Sequence, residues 1–178
     1  MNNTETPSYK IAKYLNKSLN DLVNLPYMYT TKNSYEIAQE LNYTQISKHN
    51  GMITLDIKDL YVNLAVQNIL HITKFWPNKH TNINKITQQT LYLLKVILKQ
   101  NNFQYNNQIF QLEKCIAIGS PIWSTIAEIY LQFLEEIYIK QWLESKEIIY
   151  YKRYIGDFWL YLTKTKPMER QLWTTRIT

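Results

Sequence analysis

Near the end of the chain, two apolar, aromatic-rich runs flank a Gly-Asp pair. They read Tyr150-Tyr151-Lys152-Arg153-Tyr154-Ile155, then Gly156-Asp157, then Phe158-Trp159-Leu160-Tyr161-Leu162. This composition favours strands, and glycine at the first of two central turn positions predicts a type II′ hairpin. Two readings stand side by side. The stretch is an ordinary buried hairpin, or its turn holds the carboxylate of Asp157 at the rim of a sheet. In the second case a carboxylate facing Asp157 would complete a metal site.

A partner carboxylate is offered by Asp56. Gly51 opens a short strand, Met52-Ile53-Thr54-Leu55-Asp56-Ile57, whose apolar residues fall on both faces, the pattern of a central strand covered twice. A charge at the end of a buried strand is costly unless it is paired or metal-bound. The alternative is a helix cap, since Leu60 to Val66 can be helical.

Helical patterns fill the remaining length. Thr6-Pro7-Ser8 predicts a helix with Ile11, Leu15, Leu19 and Leu22 on one face, ended by Pro26. A second follows Asn33-Ser34, with Glu36 in its first turn and Ile37, Leu41 and Ile46 inward. Further helices are predicted over Val66 to Phe75 and Lys85 to Lys99, separated by a polar loop around Pro77 to Asn84. Asn106-Asn107 marks a small hairpin between Phe103-Gln104-Tyr105 and Ile109-Phe110-Gln111-Leu112. A long helix then runs from Gly119-Ser120-Pro121 to about Leu143, with Glu135 and Glu136 facing solvent. Strand with Asp, helices, long helix, hairpin with Asp is the order of a split β-α-β unit, which brings Asp56 and Asp157 together in an α+β fold.

Composition narrows the class. Hydrophobic content of 46% against 19% charged residues describes a globular chain, and 178 residues suffice for one buried core. The net charge of +6 suits a polyanionic partner, although 17 of the 20 basic residues are lysine and asparagine is frequent, which fits a coding bias. A single cysteine, Cys115, excludes an internal disulfide, and His49, His71 and His80 share no zinc-site spacing with it. No apolar run reaches the length of a membrane span and the N-terminus is polar, so an intracellular address, cytoplasmic or nuclear, is expected, without membrane association.

Four segments, in order, resemble reverse transcriptases. Met52-Ile-Thr-Leu-Asp-Ile-Lys-Asp-Leu-Tyr-Val-Asn-Leu64 resembles the first palm motif, Ile118-Gly-Ser-Pro-Ile-Trp-Ser-Thr-Ile-Ala-Glu-Ile-Tyr130 the second, and Arg153-Tyr-Ile-Gly-Asp157 the third. The opening Thr6-Pro-Ser-Tyr-Lys-Ile-Ala-Lys-Tyr-Leu15 is similar to the segment before the palm in Penelope-like retroelements. The resemblance implies a polymerase palm-like fold with packed helices, part of the fingers and no thumb. It divides the chain into a helical lead-in over 1–50, a palm over 51–165 and a short tail over 166–178.

By that resemblance Asp56 and Asp157 are catalytic carboxylates that hold Mg2+, two ions in the family, for RNA-directed DNA polymerisation on a template-primer with dNTPs. Tyr61 matches the residue that packs against the nucleotide sugar, and Gly119, Ser120 and Pro121 match a turn close to template and nucleotide. Two positions depart from the family. Gly156 stands where the third motif has the first of two adjacent aspartates, and Trp123-Ser124 replaces Ser-Pro in the second. The implied state is a degenerate reverse-transcriptase fragment, inactive as written. The alternatives are a non-catalytic nucleic-acid-binding module, using exposed aromatics such as Trp159 and Tyr161, and a structural α+β domain.

Overall fold

The structure, a computed structural model, describes residues 7–44, 50–57, 60, 64–80, 85–100, 102–111 and 120–163. Tyr61, Gly119, Asp59 and Ile46 lie outside them. The chain forms two compact units, each assembled from separated stretches: Met1–Pro26 with Asp59–Phe133, and Tyr27–Lys58 with Leu134–Thr178. Because the chain passes between the units three times, no single linker marks the division in the sequence.

The first unit is mainly helical. Its α1 (Pro7–Leu22) starts on a proline, which is at ease where the first helical N–H has no partner. Ala12, Leu15 and Leu19 recur at helical spacing and are buried. Ile11, expected on that stripe, is 40% exposed, and Ala12 takes its place. The stripe packs with α3 (Val66–His80), α4 (Lys85–Lys99) and α5 (Trp123–Leu134) around Ile69, Leu94, Leu98 and Ile126. Leu15, Leu19 and Leu94 are fully enclosed, and each such side chain contributes roughly 1.5–3 kcal/mol of burial.

Helix α3 continues past Pro77 to His80, where a loop was expected. Proline removes one N–H, but its fixed φ is itself helical. Trp76 on the same helix is buried beside Ile72 and Ile129, and its indole N–H donates to the Ile129 carbonyl at 3.3 Å. The small hairpin is present as β2 (Asn102–Tyr105) and β3 (Gln108–Gln111). Asn106 and Asn107 both have positive φ, 47° and 59°, as a type I′ turn requires.

In the second unit, α2 (Ser34–Tyr43) begins at Asn33, whose side-chain oxygen accepts from the Glu36 N–H at 3.0 Å. The helix ends at Tyr43, so Leu41 is half-buried and only Ile37 is enclosed. The sheet joins β1 (Asn50–Asp56), β4 (Ile148–Tyr154) and β5 (Asp157–Thr163), antiparallel throughout, in the order β1-β5-β4. The central strand is therefore β5, not β1. Among the described residues β1 pairs on one side only, and its side chains alternate between half-buried and exposed. Five apolar or small residues in a row, Gly51 to Leu55, suit a strand covered twice, but only Ile53 and Leu55 point to the packed face.

The long helical segment is interrupted by a π-helical turn, Glu135–Ile139, before α6 (Lys140–Glu144). One extra residue in that turn shifts the phase of everything around it. Glu135, expected in solvent, is 4% exposed, whereas Ile137 is 40% exposed. Glu136 remains partly accessible and pairs with Lys140 one turn on.

Candidate functional site

Register places the two aspartates directly opposite each other. Pairing of β1 with β5 runs from Asn50↔Thr163 through Leu55↔Phe158 to Asp56↔Asp157. Directly paired residues of an antiparallel ladder share a face, with Cβ atoms about 4.5–5.5 Å apart. Asp56 and Asp157 are both exposed, so neither carries the desolvation cost that a buried strand end would impose. The expected pairing of the two segments is present, and the expected burial of Asp56 is not.

Alternation along the strands assigns the two faces. One carries Arg153, Phe158 and Leu55 in its first row and Tyr151, Leu160 and Ile53 in its second, and Arg153, Tyr151, Phe158 and Leu160 are buried. The other carries Tyr154, Asp157 and Asp56, then Lys152, Trp159 and Thr54, then Tyr150, Tyr161 and Met52. The carboxylates thus stand at the end of the more open face. Trp159 and Tyr161, expected to be exposed, are half-buried, and the Tyr161 ring meets Tyr150 edge-on at 6.1 Å. Glu40 of α2 reaches this face, accepting from the Tyr150 hydroxyl at 3.0 Å and pairing with Lys152 at 2.8 Å. Burial, with the Glu40 carboxylate next in importance, raises the Tyr150 pKa far above its ordinary value.

The turn is centred one residue earlier than the sequence predicts. Tyr154 pairs with Asp157, leaving Ile155 and Gly156 as the central residues. Ile155 takes the positive φ, 53°, while Gly156 has no left-handed φ. A β-branched residue there is strained by about 1–2 kcal/mol. Asp157 is consequently the first residue of β5 and not part of the turn, and the ladder sets its direction. The backbone N–H of Ile57 donates to the Gly156 carbonyl at 3.2 Å, tying the end of β1 to the turn.

Beneath the turn lies a polar cluster that sequence reasoning missed. Arg153 is 0% exposed. Its Nε donates to Glu135 Oε1 at 2.6 Å, one Nη to the Ile155 carbonyl at 3.1 Å, and the other to Thr30 Oγ1 at 3.1 Å. The Tyr151 hydroxyl donates to the same Glu135 oxygen at 3.0 Å. Burial first and Glu135 second raise the Tyr151 pKa well above the usual phenol range. The backbone of Arg153 is also held, its N–H by the Tyr29 carbonyl and its carbonyl by the Thr31 N–H, each at 2.9 Å. The signal available in the sequence was an arginine at an inward strand position, which demands a buried acid.

Of the other expected site residues, Ser120 and Pro121 are half-buried just before α5, and the Ser120 carbonyl accepts from the Trp123 N–H at 3.2 Å. Tyr61 and Gly119 lie outside the described residues. Among the described residues no group of three or more His, Cys, Asp and Glu side chains is gathered to hold a metal. Two exposed carboxylates on one face are nonetheless a donor set that suits one Mg2+, an ion that keeps several waters and takes one or two protein carboxylates. No described helix is long and apolar enough to cross a membrane.

No protein-family model and no curated protein matches the chain. Solved structures do. The fold is similar to that of telomerase from Candida tropicalis, in complex with a TWJ fragment of telomeric RNA, with TM-score 0.65 and 11% identity over 97% of this chain. It is also similar to telomerase from Candida albicans, in complex with the corresponding fragment, with TM-score 0.59 and 11% identity over 90% of this chain. The chain spans 30% and 31% of those two proteins. At such identity the likeness is one of fold alone, an α+β arrangement.

Proposed function

We propose that this chain is a palm-type nucleic-acid-binding domain of reverse-transcriptase ancestry whose catalytic centre is degenerate. The observation that carries the reading is the register pair Asp56↔Asp157, two carboxylates about a hundred positions apart in sequence meeting at the open end of one sheet. The likeness of fold to telomerases and the net charge of +6 support a polyanionic partner, an RNA or DNA template-primer. A divalent ion held by Asp56 and Asp157 would supply charge neutralisation at a phosphoryl group.

The resemblance matches Tyr61 to the residue that packs against the sugar of a dNTP, and Gly119, Ser120 and Pro121 to a turn close to template and nucleotide. The similarity of Thr6–Leu15 to the lead-in of Penelope-like elements supports a retroelement origin. Gly156 leaves the pair one carboxylate short of the family's third motif, so catalysis is lost while binding persists. That count favours the non-catalytic binding reading over present polymerase activity.

Two measurements separate the outcomes. Binding to a primer-template should weaken steeply with salt, as counterion release requires. Primer extension with Mg2+ or Mn2+ should stay at the level of Asp56→Ala. Salt-insensitive or absent binding would refute the nucleic-acid reading, and extension well above that control would refute degeneracy.

A further inference from the structure

We infer that Arg153 is a positioning residue for Asp157, acting through the backbone of the turn from the opposite face of the sheet. Neighbouring strand positions alternate, so the Arg153 side chain stands on the packed face while Asp157 stands on the open one. The guanidinium therefore acts on the turn and not on the carboxylate. Its contact is the Ile155 carbonyl, and Ile155 is the residue that holds the strained φ of 53°. Without a donor on that carbonyl, an isoleucine would relax toward negative φ and swing the following peptide.

Position 156 connects this strain to the site. The Gly156 carbonyl, one peptide beyond that of Ile155, accepts the Ile57 N–H, so a swing at Ile155 passes through Gly156 to the bond tying the end of β1 to the turn. Asp56 and Asp157 are the last register pair before that tie. Arg153 itself is held by Glu135, which the π-helical turn brings inward, and by Thr30. The fork of the guanidinium matters, because it reaches Glu135 and Ile155 at once in a fixed plane, which a lysine ammonium cannot do. The consequence for ion binding rests on the proposed role of the aspartate pair, whereas the consequence for the turn does not.

The test is amide hydrogen exchange on the full chain, comparing Ile57 with Leu160 in the middle of β5, together with the φ-sensitive coupling of Ile155. Arg153→Lys should lower protection of Ile57 about tenfold more than that of Leu160 and move the Ile155 coupling away from positive φ. Tyr151→Phe removes a bond to the same Glu135 but leaves the Ile155 contact, so it should lower both amides alike. Should Arg153→Lys not fold, the paired replacement Arg153→Met with Glu135→Leu removes both charges and should give the same selective loss at Ile57. Equal losses at Ile57 and Leu160, or an unchanged Ile155 coupling, would overturn the inference. Mn2+ broadening at Asp56 and Asp157 is read in parallel. A wild-type chain that takes up no Mn2+ there refutes the metal reading alone, and the exchange result still decides the role of Arg153.

Discussion

A β-carbon on Gly156 would stand 3.6 Å from Oδ1 of Asp56, an ordinary van der Waals separation. Gly156 also has no left-handed φ, so neither space nor backbone demands glycine here. Gly156→Asp should therefore fold. Without divalent ions the third carboxylate is expected to cost about 0.5–1 kcal/mol through repulsion at an exposed site. Mg2+ or Mn2+ should reverse the loss and raise the melting temperature more than in the wild-type chain. Thermal melts with and without the ion, read beside primer extension, check this.

Glu135 and Arg153 form a buried ion pair, and removing one partner strands the other. Glu135→Leu alone should destabilise by about 3–5 kcal/mol. Adding Arg153→Met should recover most of that loss, because two apolar groups replace two charges. A double-mutant cycle in urea, followed by a probe within the Tyr27–Lys58 and Leu134–Thr178 unit, measures the coupling.

Alkaline pH should loosen the same unit. Tyr29, Tyr150 and Tyr151 all have pKa values raised above the ordinary 10.0, with burial the largest cause in each. The folded state thus binds these protons more tightly than the unfolded one. The stability they contribute is fully present below pH 10 and is lost as pH climbs from 10 toward the raised values. Tyr151→Phe should flatten the fall, as seen by denaturant midpoints and tyrosinate absorbance across that range.

Acid should act on the start of α2. The Glu36 carboxylate accepts from the Lys32 N–H at 3.0 Å and the Thr31 hydroxyl at 2.9 Å, and these bonds hold its pKa below the usual 4.5. Its contribution is present above pH 4.5 and is lost as pH falls through the lowered value. Asn33→Ala, which removes the cap on the same turn, should cost about 1 kcal/mol at neutral pH. Chemical denaturation of that variant checks the figure.

Local chemistry made much of the fold legible. Asn33 before a helix, Asn106-Asn107 between short strands, and the spacing of Leu15 and Leu19 each act through neighbours in the chain. The meeting of Asp56 with Asp157 followed from the order of elements. What stayed hidden depends on distant partners. Glu135 turns inward because Arg153 is there to receive it, and the π-helical turn that allows this leaves no signature in a 3.6-residue pattern. The hairpin turn moved by one residue for a similar reason: glycine suggested where positive φ would fall, but the arginine beneath the turn binds Ile155. Likewise β1 carries a central-strand composition, and pairing alone decides that β5 takes that place.

The interleaving of the two units also sets an order of birth. The stretch Asp59–Phe133, with Met1–Pro26, leaves the ribosome before the stretch from Leu134 that completes the other unit. At about 5–20 residues per second, β1 waits roughly 5–20 s between its own emergence and that of β5. Throughout that interval β5, the strand it pairs with, has yet to appear. The helical unit can mature meanwhile, and the carboxylate pair is assembled last. A nascent chain halted anywhere before Asp157 holds one member of the carboxylate pair without the other.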